Sequence, residues 1–183
     1  YGRCYISRLG YTGEDGFELS VPHDDTEILW QRLLAHTSVK PIGLAARDSL
    51  RLEMGYCLYG HDINTTTTPL EADLGWVMRR DGAKNYFGAD KIGLPVRKRV
   101  GIVLTGRGVA REGATVHDMN GVQIGVLTSG GYGPTLKQSV GQTYLPADFT
   151  VTGTDIQVNV RGNTIPAQVA KMPFLQPKTK SGK

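Results

Sequence analysis

Beyond Arg99 the chain breaks into short strand-like runs at close intervals, and few architectures accept that pattern. Val100–Thr105, Thr115–Asp118, Val122–Leu127, Val140–Leu145, Ile156–Val160 and Thr164–Ala170 each read as a strand. Asn120-Gly121 separates the second run from the third, and Arg161-Gly162-Asn163 separates the last two. Asn-Gly tolerates positive φ at both central turn positions, which makes it a strong hairpin signal. Many short strands with frequent turns predict a small antiparallel barrel or sandwich.

The earlier part of the chain has a different period. Phe17, Leu19 and Val21 alternate with Glu18 and Ser20, the pattern of a half-buried strand, as does the run Cys4–Leu9. The alternation puts Glu18 on the face opposite the apolar side chains. Asp24 or Asp25 then caps a helix, and Asp24 with Glu27 has capping-box spacing. Ile28, Leu29, Leu33 and Leu34 form its apolar stripe, which runs to about His36. A second helix spans Leu44–Met54 and stops at Gly55. Residues 56–76 are loop-rich, and Tyr86–Ile92 reads as a short helix start. Pro95 and the run Arg97–Arg99 mark a boundary. The expectation is an α+β chain with one unit over 1–95, an antiparallel β-barrel over 96–175, and a disordered tail over 176–183.

Composition narrows the function classes. Lys and Arg number 21 against 17 Asp and Glu among 183 residues, a mild excess and no nucleic-acid signature. The excess is local: Arg79, Arg80, Lys84, Lys91, Arg97, Lys98 and Arg99 fall in one stretch. That stretch reads either as a solvated connector or as a basic rim for an acidic ligand or partner. No run approaches the roughly 18 apolar residues of a membrane span. Cys4 and Cys57 form no CxxC pair, so a disulfide framework is not supported and a reducing compartment fits. The four histidines are isolated, without metal-ligand spacing, and His61 reads as a surface turn residue. The first residue is Tyr1, with no leader-like run ahead of Cys4–Leu9, which reads as a piece of a longer protein.

Two segments concentrate the chemistry: Gly10–Glu18, GYTGEDGFE, and Gly43–Glu53, GLAARDSLRLE. Glu18 is either an exposed strand carboxylate or an acceptor for paired N–H donors, such as the aminopyrimidine edge of a pterin or guanine. Arg47 is either a surface arginine paired with Asp48, Glu53 or Glu18, or a bidentate reader of an anionic or carbonyl group. Arg51 lies one turn later, so both can face one cleft. Trp76 reads as a core residue or a stacking platform, and Tyr11 as a packing residue or a hydroxyl reaching a ligand. Glu14 and Asp15 shape or cap the glycine turn. The stretch Ser129–Pro134, SGGYGP, lacks the GK[ST] ending of a phosphate-binding loop.

The ordered series GYTGEDGFE, GLAARDSLRLE, LYGHDI, TTPLEADLGW, RVGIVL, LTSGGYGPTL and AKMPF resembles the aminomethyltransferase (T-protein) family of the glycine cleavage system. The resemblance runs over nearly all of residues 1–174. It implies transfer of the methylene of an aminomethyl-lipoyl carrier, the H-protein, to tetrahydrofolate, with release of ammonia. It also implies a split α/β folate-binding domain closed by a C-terminal barrel. Folate contacts map onto Glu18, Arg47, Tyr11, Trp76 and Arg99. The family's catalytic aspartate belongs to an N-terminal half, so no catalytic residue is expected in this chain, and a fragment of this kind is expected to be poorly active alone. The stretch after MPF reads LQPKTKSGK and lacks the tyrosine often found there. LAARDSLRLE followed by CLYG looks most like mitochondrial members, which implies the mitochondrial matrix, with a bacterial cytoplasm as the alternative. Two other readings stay open: the folate domain of a dimethylglycine- or sarcosine-oxidising flavoenzyme, and a non-catalytic folate-binding module.

Overall fold

The computed structural model describes residues 3–78 and 86–180. Two short strands, β1 (Tyr5–Ser7) and β2 (Glu18–Ser20), pair antiparallel, with Ser7 opposite Glu18. They are shorter than the expected runs, and β2 buries no residue. A single 3-10 turn, His23–Asp25, leads into α1 (Thr26–Leu34). The anticipated capping box does not form. No side chain caps α1, and Glu27 instead accepts a hydrogen bond from Gln31 Nε2 at 3.0 Å. Helix α2 (Leu44–Glu53) matches its expected span and ends at Gly55, whose φ of 64° suits a residue without Cβ.

The barrel strands are β3 (Arg97–Leu104), β4 (Thr115–His117), β5 (Gln123–Gly133), β6 (Gln138–Pro146), β7 (Asp155–Val160) and β8 (Asn163–Ala170). They close in the order β3-β6-β5-β4-β7-β8, so no edge is left open. The closing pair is β3 with β8, Ile102 opposite Val169. Alternate residues point inward: Val100, Ile102 and Leu104 from β3, Ile156 and Val158 from β7, and Ile165, Ala167 and Val169 from β8. The Arg161-Gly162 turn has φ of 53° and 83°, the left-handed pair a tight hairpin needs. The chain is therefore α+β, as expected.

The glycine stretch after Ser129 is not a loop but the end of β5. Its glycines let α2 approach. A Cβ on Gly133 would lie 2.9 Å from Glu53 Oε1, and one on Gly131 would lie 3.2 Å from Leu52. Glu53, almost wholly buried, accepts backbone hydrogen bonds from Thr135 (2.8 Å) and Leu136 (3.0 Å) and so ties α2 to the β5–β6 turn. The segment expected to be disordered also departs from expectation as far as Lys178. Phe174 N–H donates to Glu53 O, and Lys178 bonds Gly13 O through its amide and Glu14 through Nζ. Of the expected basic rim, Arg79, Arg80 and Lys84 lie outside the described residues. Of the remaining four, Lys91 pairs with Asp90, Arg97 with Glu71 and Lys98 with Asp73, while Arg99 is buried against carbonyl oxygens.

Candidate functional site

The glycine turn, α2 and the barrel rim enclose a cleft of about 640 Å³. Tyr11 forms part of one wall, Arg47, Asp48 and Arg51 come from α2, and Ser129 and Gly130 come from β5. Gly13 allows the turn to sit on α2. Its φ is 76°, and a Cβ there would overlap Met54.

Glu18 and Arg47 meet across the gap between β2 and α2, at 3.6 Å. Their side chains are 52% and 47% exposed, so solvent screens the pair and a competing ligand can open it at small cost. The Arg47 guanidinium also lies over the Tyr11 ring, 5.2 Å from its centroid. Tyr11 stacks on Tyr56 at 5.7 Å and donates its hydroxyl to Cys57 O. Burial raises the Tyr11 pKa above the ordinary phenol value, with Arg51 and Arg47 pulling it back, so the hydroxyl stays a donor at neutral pH. The result is a flat aromatic wall, a cation over its face, and a carboxylate beside the cation.

Arg51 does something different from Arg47, although they are one turn apart. It is 4% exposed and serves as the floor of the cleft. Its guanidinium holds Asp48 at 2.8 Å, Asp62 at 3.1 Å and Ser129 Oγ at 2.8 Å. Asp62 is itself fully buried. It accepts further bonds from Leu58 N–H, Thr128 Oγ1 and Ser129 Oγ. A buried carboxylate needs this degree of satisfaction. The network locks α2, the turn at 58–62 and β5 together beneath the cleft. His61, read from sequence as a plain turn residue, lines the cleft and places Nδ1 2.7 Å from Glu112 Oε2.

Two expected contacts are not at the cleft. Arg99 is 5% exposed, and its donors are used internally: Nε to Ala72 O, Nη1 to Gly55 O and to Gln142 Oε1. Arg99 lies on the outward pleat of β3, opposite in phase to Val100 and Ile102, which carries it into the seam between loop and barrel, where it clamps backbone carbonyls. Trp76 occupies the 3-10 turn Gly75–Val77, is 68% exposed, and lines neither the cleft nor the core. Asp62, Ser129, Arg111 and Glu112 were not singled out as site residues in the sequence, and His61 was read only as a surface turn residue. Only LYGHDI, with its acidic residue in a tight turn, hinted at Asp62. Among the described residues, no cluster of three metal-ligating side chains occurs, and no helix is long and apolar enough to cross a membrane.

Comparison with known proteins adds independent findings. Residues 1–82 match the family model described as the GCVT N-terminal domain, and residues 97–176 match the glycine cleavage T-protein C-terminal barrel domain. The chain is 44% identical over 188 residues to a mitochondrial aminomethyltransferase of Dictyostelium discoideum, covering 94% of this chain and 46% of that protein. It is 46% identical over 179 residues to an aminomethyltransferase of Halothermothrix orenii, covering 93% of this chain and 49% of that one. The crystal structure of the glycine cleavage system aminomethyltransferase T from Bartonella henselae superposes with a TM-score of 0.87 at 40% identity, over 97% of this chain and 51% of that one. The chain thus spans about half the length of the curated relatives it matches.

Proposed function

The chain belongs to the glycine cleavage T-protein family of aminomethyltransferases, and from that premise we propose that its cleft is part of a tetrahydrofolate site. In this reading the protein transfers the methylene of an aminomethyl group, carried on the lipoyl arm of the H-protein, to tetrahydrofolate and releases ammonia. The observation that carries the proposal is the Glu18–Arg47 pair set against the Tyr11 ring. The pyrimidine ring of a reduced pterin is flat and has two adjacent N–H donors on one edge and a carbonyl beside them. Glu18 accepts the paired donors, Arg47 donates to the carbonyl, and Tyr11 supplies the apolar face. The ligand replaces a weak ion pair between the two side chains with hydrogen bonds to each. Arg51 and Asp62 act beneath them by holding α2 in register.

None of the residues of this chain is assigned the proton transfers of the reaction; its residues bind and orient. Residues 1–95 are taken as the folate-binding unit and 96–175 as the barrel that backs it. The relatives include mitochondrial and bacterial proteins, and the LAARDSLRLE–CLYG phrase favours the mitochondrial matrix. Titration calorimetry with tetrahydrofolate tests the site. Glu18→Ala is expected to weaken binding by about 1–3 kcal/mol, or roughly 5- to 150-fold, as the loss of a charged acceptor. Unchanged affinity would remove Glu18 from the site.

A further inference from the structure

The turn that brings Tyr11 to the cleft is poorly supported by its own hairpin. Strands β1 and β2 have three residues each, and residues 8–17 between them hold no strand or helix. A two-stranded hairpin of this size is marginal in water. Strand β2 carries Glu18 and buries none of its residues. Something outside the hairpin must fix where Tyr11 and Glu18 stand.

The segment after β8 does so from the side away from the cleft. Met172 packs on Gly55 and Gly101, where a Cβ on either glycine would come within 2.8 Å of it, and Phe174 packs equally close on Gly101. Phe174 N–H then donates to Glu53 O at the end of α2, at 3.1 Å. Leu175 joins Leu50 and Met54 around a cavity of about 250 Å³ that Thr12, Gly13 and Glu14 also line. This cavity shares no lining residue with the cleft: Leu50 and Met54 face it from one side of α2, while Arg47 and Arg51 face the cleft from another. Lys178 completes the path. Its amide donates to Gly13 O at 2.8 Å, and its Nζ lies 3.0 Å from Glu14 Oε1. The Lys178 and Glu14 side chains are 72% and 53% exposed, so water screens the ion pair, and the amide bond and the Leu175 contact supply most of the hold. The glycine turn is thus gripped between α2 and a strap anchored on the barrel.

We infer that Lys178, at the end of this strap over residues 172–178, is a positioning residue for the ligand site. The inference rests on the folate reading. Lys178 does not touch the ligand; it fixes the turn that presents Tyr11 and leads into Glu18. With the strap loose, the turn spends time in arrangements that do not set Tyr11 and Glu18 against Arg47, and apparent affinity falls by the fraction of time lost. Linkage makes the effect reciprocal, so a bound ligand tightens the strap by the same factor.

The test measures tetrahydrofolate affinity by titration calorimetry on the full chain and its variants. Removal of residues 177–183 is expected to weaken binding about tenfold. Lys178→Pro, which keeps neither the amide donor nor Nζ, should weaken it about fivefold. Lys178→Ala keeps the amide bond and should change affinity by no more than about twofold, and Lys178→Arg should match the wild type. Thermal unfolding should stay close to wild type in all of them, because the barrel core contains no strap residue. Saturating tetrahydrofolate should slow trypsin cleavage after Lys178 by about tenfold, read by mass spectrometry. Unchanged affinity in the shortened chain and in Lys178→Pro, or a cleavage rate that the ligand does not alter, overturns the inference and leaves the folate site in place. Affinity that falls only in step with thermal stability makes the segment a general brace and also overturns it. Failure of every chain, wild type included, to bind tetrahydrofolate sinks the folate reading and this one with it.

Discussion

Replacing Asp62 by alanine withdraws the carboxylate on which the cleft floor is assembled. Asp62 is 2% exposed and accepts from Arg51, Leu58, Thr128 and Ser129. Breaking a buried ion pair from one side costs about 3–5 kcal/mol, since the surviving charge keeps its desolvation penalty. Arg51 retains Asp48, which sets the cost toward the lower end, while the orphaned Leu58 N–H and the two hydroxyls push it up. For a chain of this size, 3–5 kcal/mol corresponds to a fall in Tm of roughly 6–20 °C. Thermal unfolding followed by circular dichroism reads it directly. Asp62→Asn, which keeps an acceptor without the charge, should fall between wild type and alanine. Arg51→Met combined with Asp62→Leu should lose less than the sum of the single changes, because the double replacement leaves no buried charge without a partner, and Asp48 is solvated. A loss below about 1 kcal/mol for Asp62→Ala would refute the reasoning, since it would mean that water or a rearranged side chain meets the same needs.

Arg99→Met is expected to destabilise by about 3 kcal/mol or more by leaving buried carbonyls unpaired, and to alter folate affinity only through that loss; denaturant titration beside calorimetry separates the two. Gly133→Ala forces a Cβ to within 2.9 Å of the Glu53 carboxylate and should cost about 1–3 kcal/mol, read by the same titration. Arg97 donates to Glu71, and this hydrogen bond lowers the Glu71 pKa below its ordinary 4.5. A carboxylate with a depressed folded pKa contributes stability above the unfolded value and loses it as pH falls through the folded value. The stability curve should therefore fall below about pH 4.5, and Glu71→Gln should make that fall shallower in acid titrations followed by fluorescence.

The local pattern carried a good deal of this protein. Strand period and turn residues placed β3 to β8 closely, because a hairpin is a short-range device whose φ requirements show in residues such as Gly162. The span of α2 was legible for the same reason: apolar spacing and a terminal glycine act within a few residues. The neighbouring positions of Glu18 and Arg47 could be anticipated from two motifs. Which arginine stays wet could not. Arg47 and Arg51 differ by a single helical turn, yet one is half exposed and the other is sealed by Ser129, seventy-eight positions along the chain. Arg99 continues a basic run on paper and is swallowed by carbonyls of Gly55 and Ala72 in space. The candidate strand Val122–Leu127 stops short of the SGGYGP stretch, most of which completes β5 where α2 packs against its glycines. Charge burial depends on which distant backbone arrives to satisfy the donors, and no window along the chain contains that partner. Periodicity chose the elements, and long-range packing chose which polar groups they hide and which they offer to a ligand.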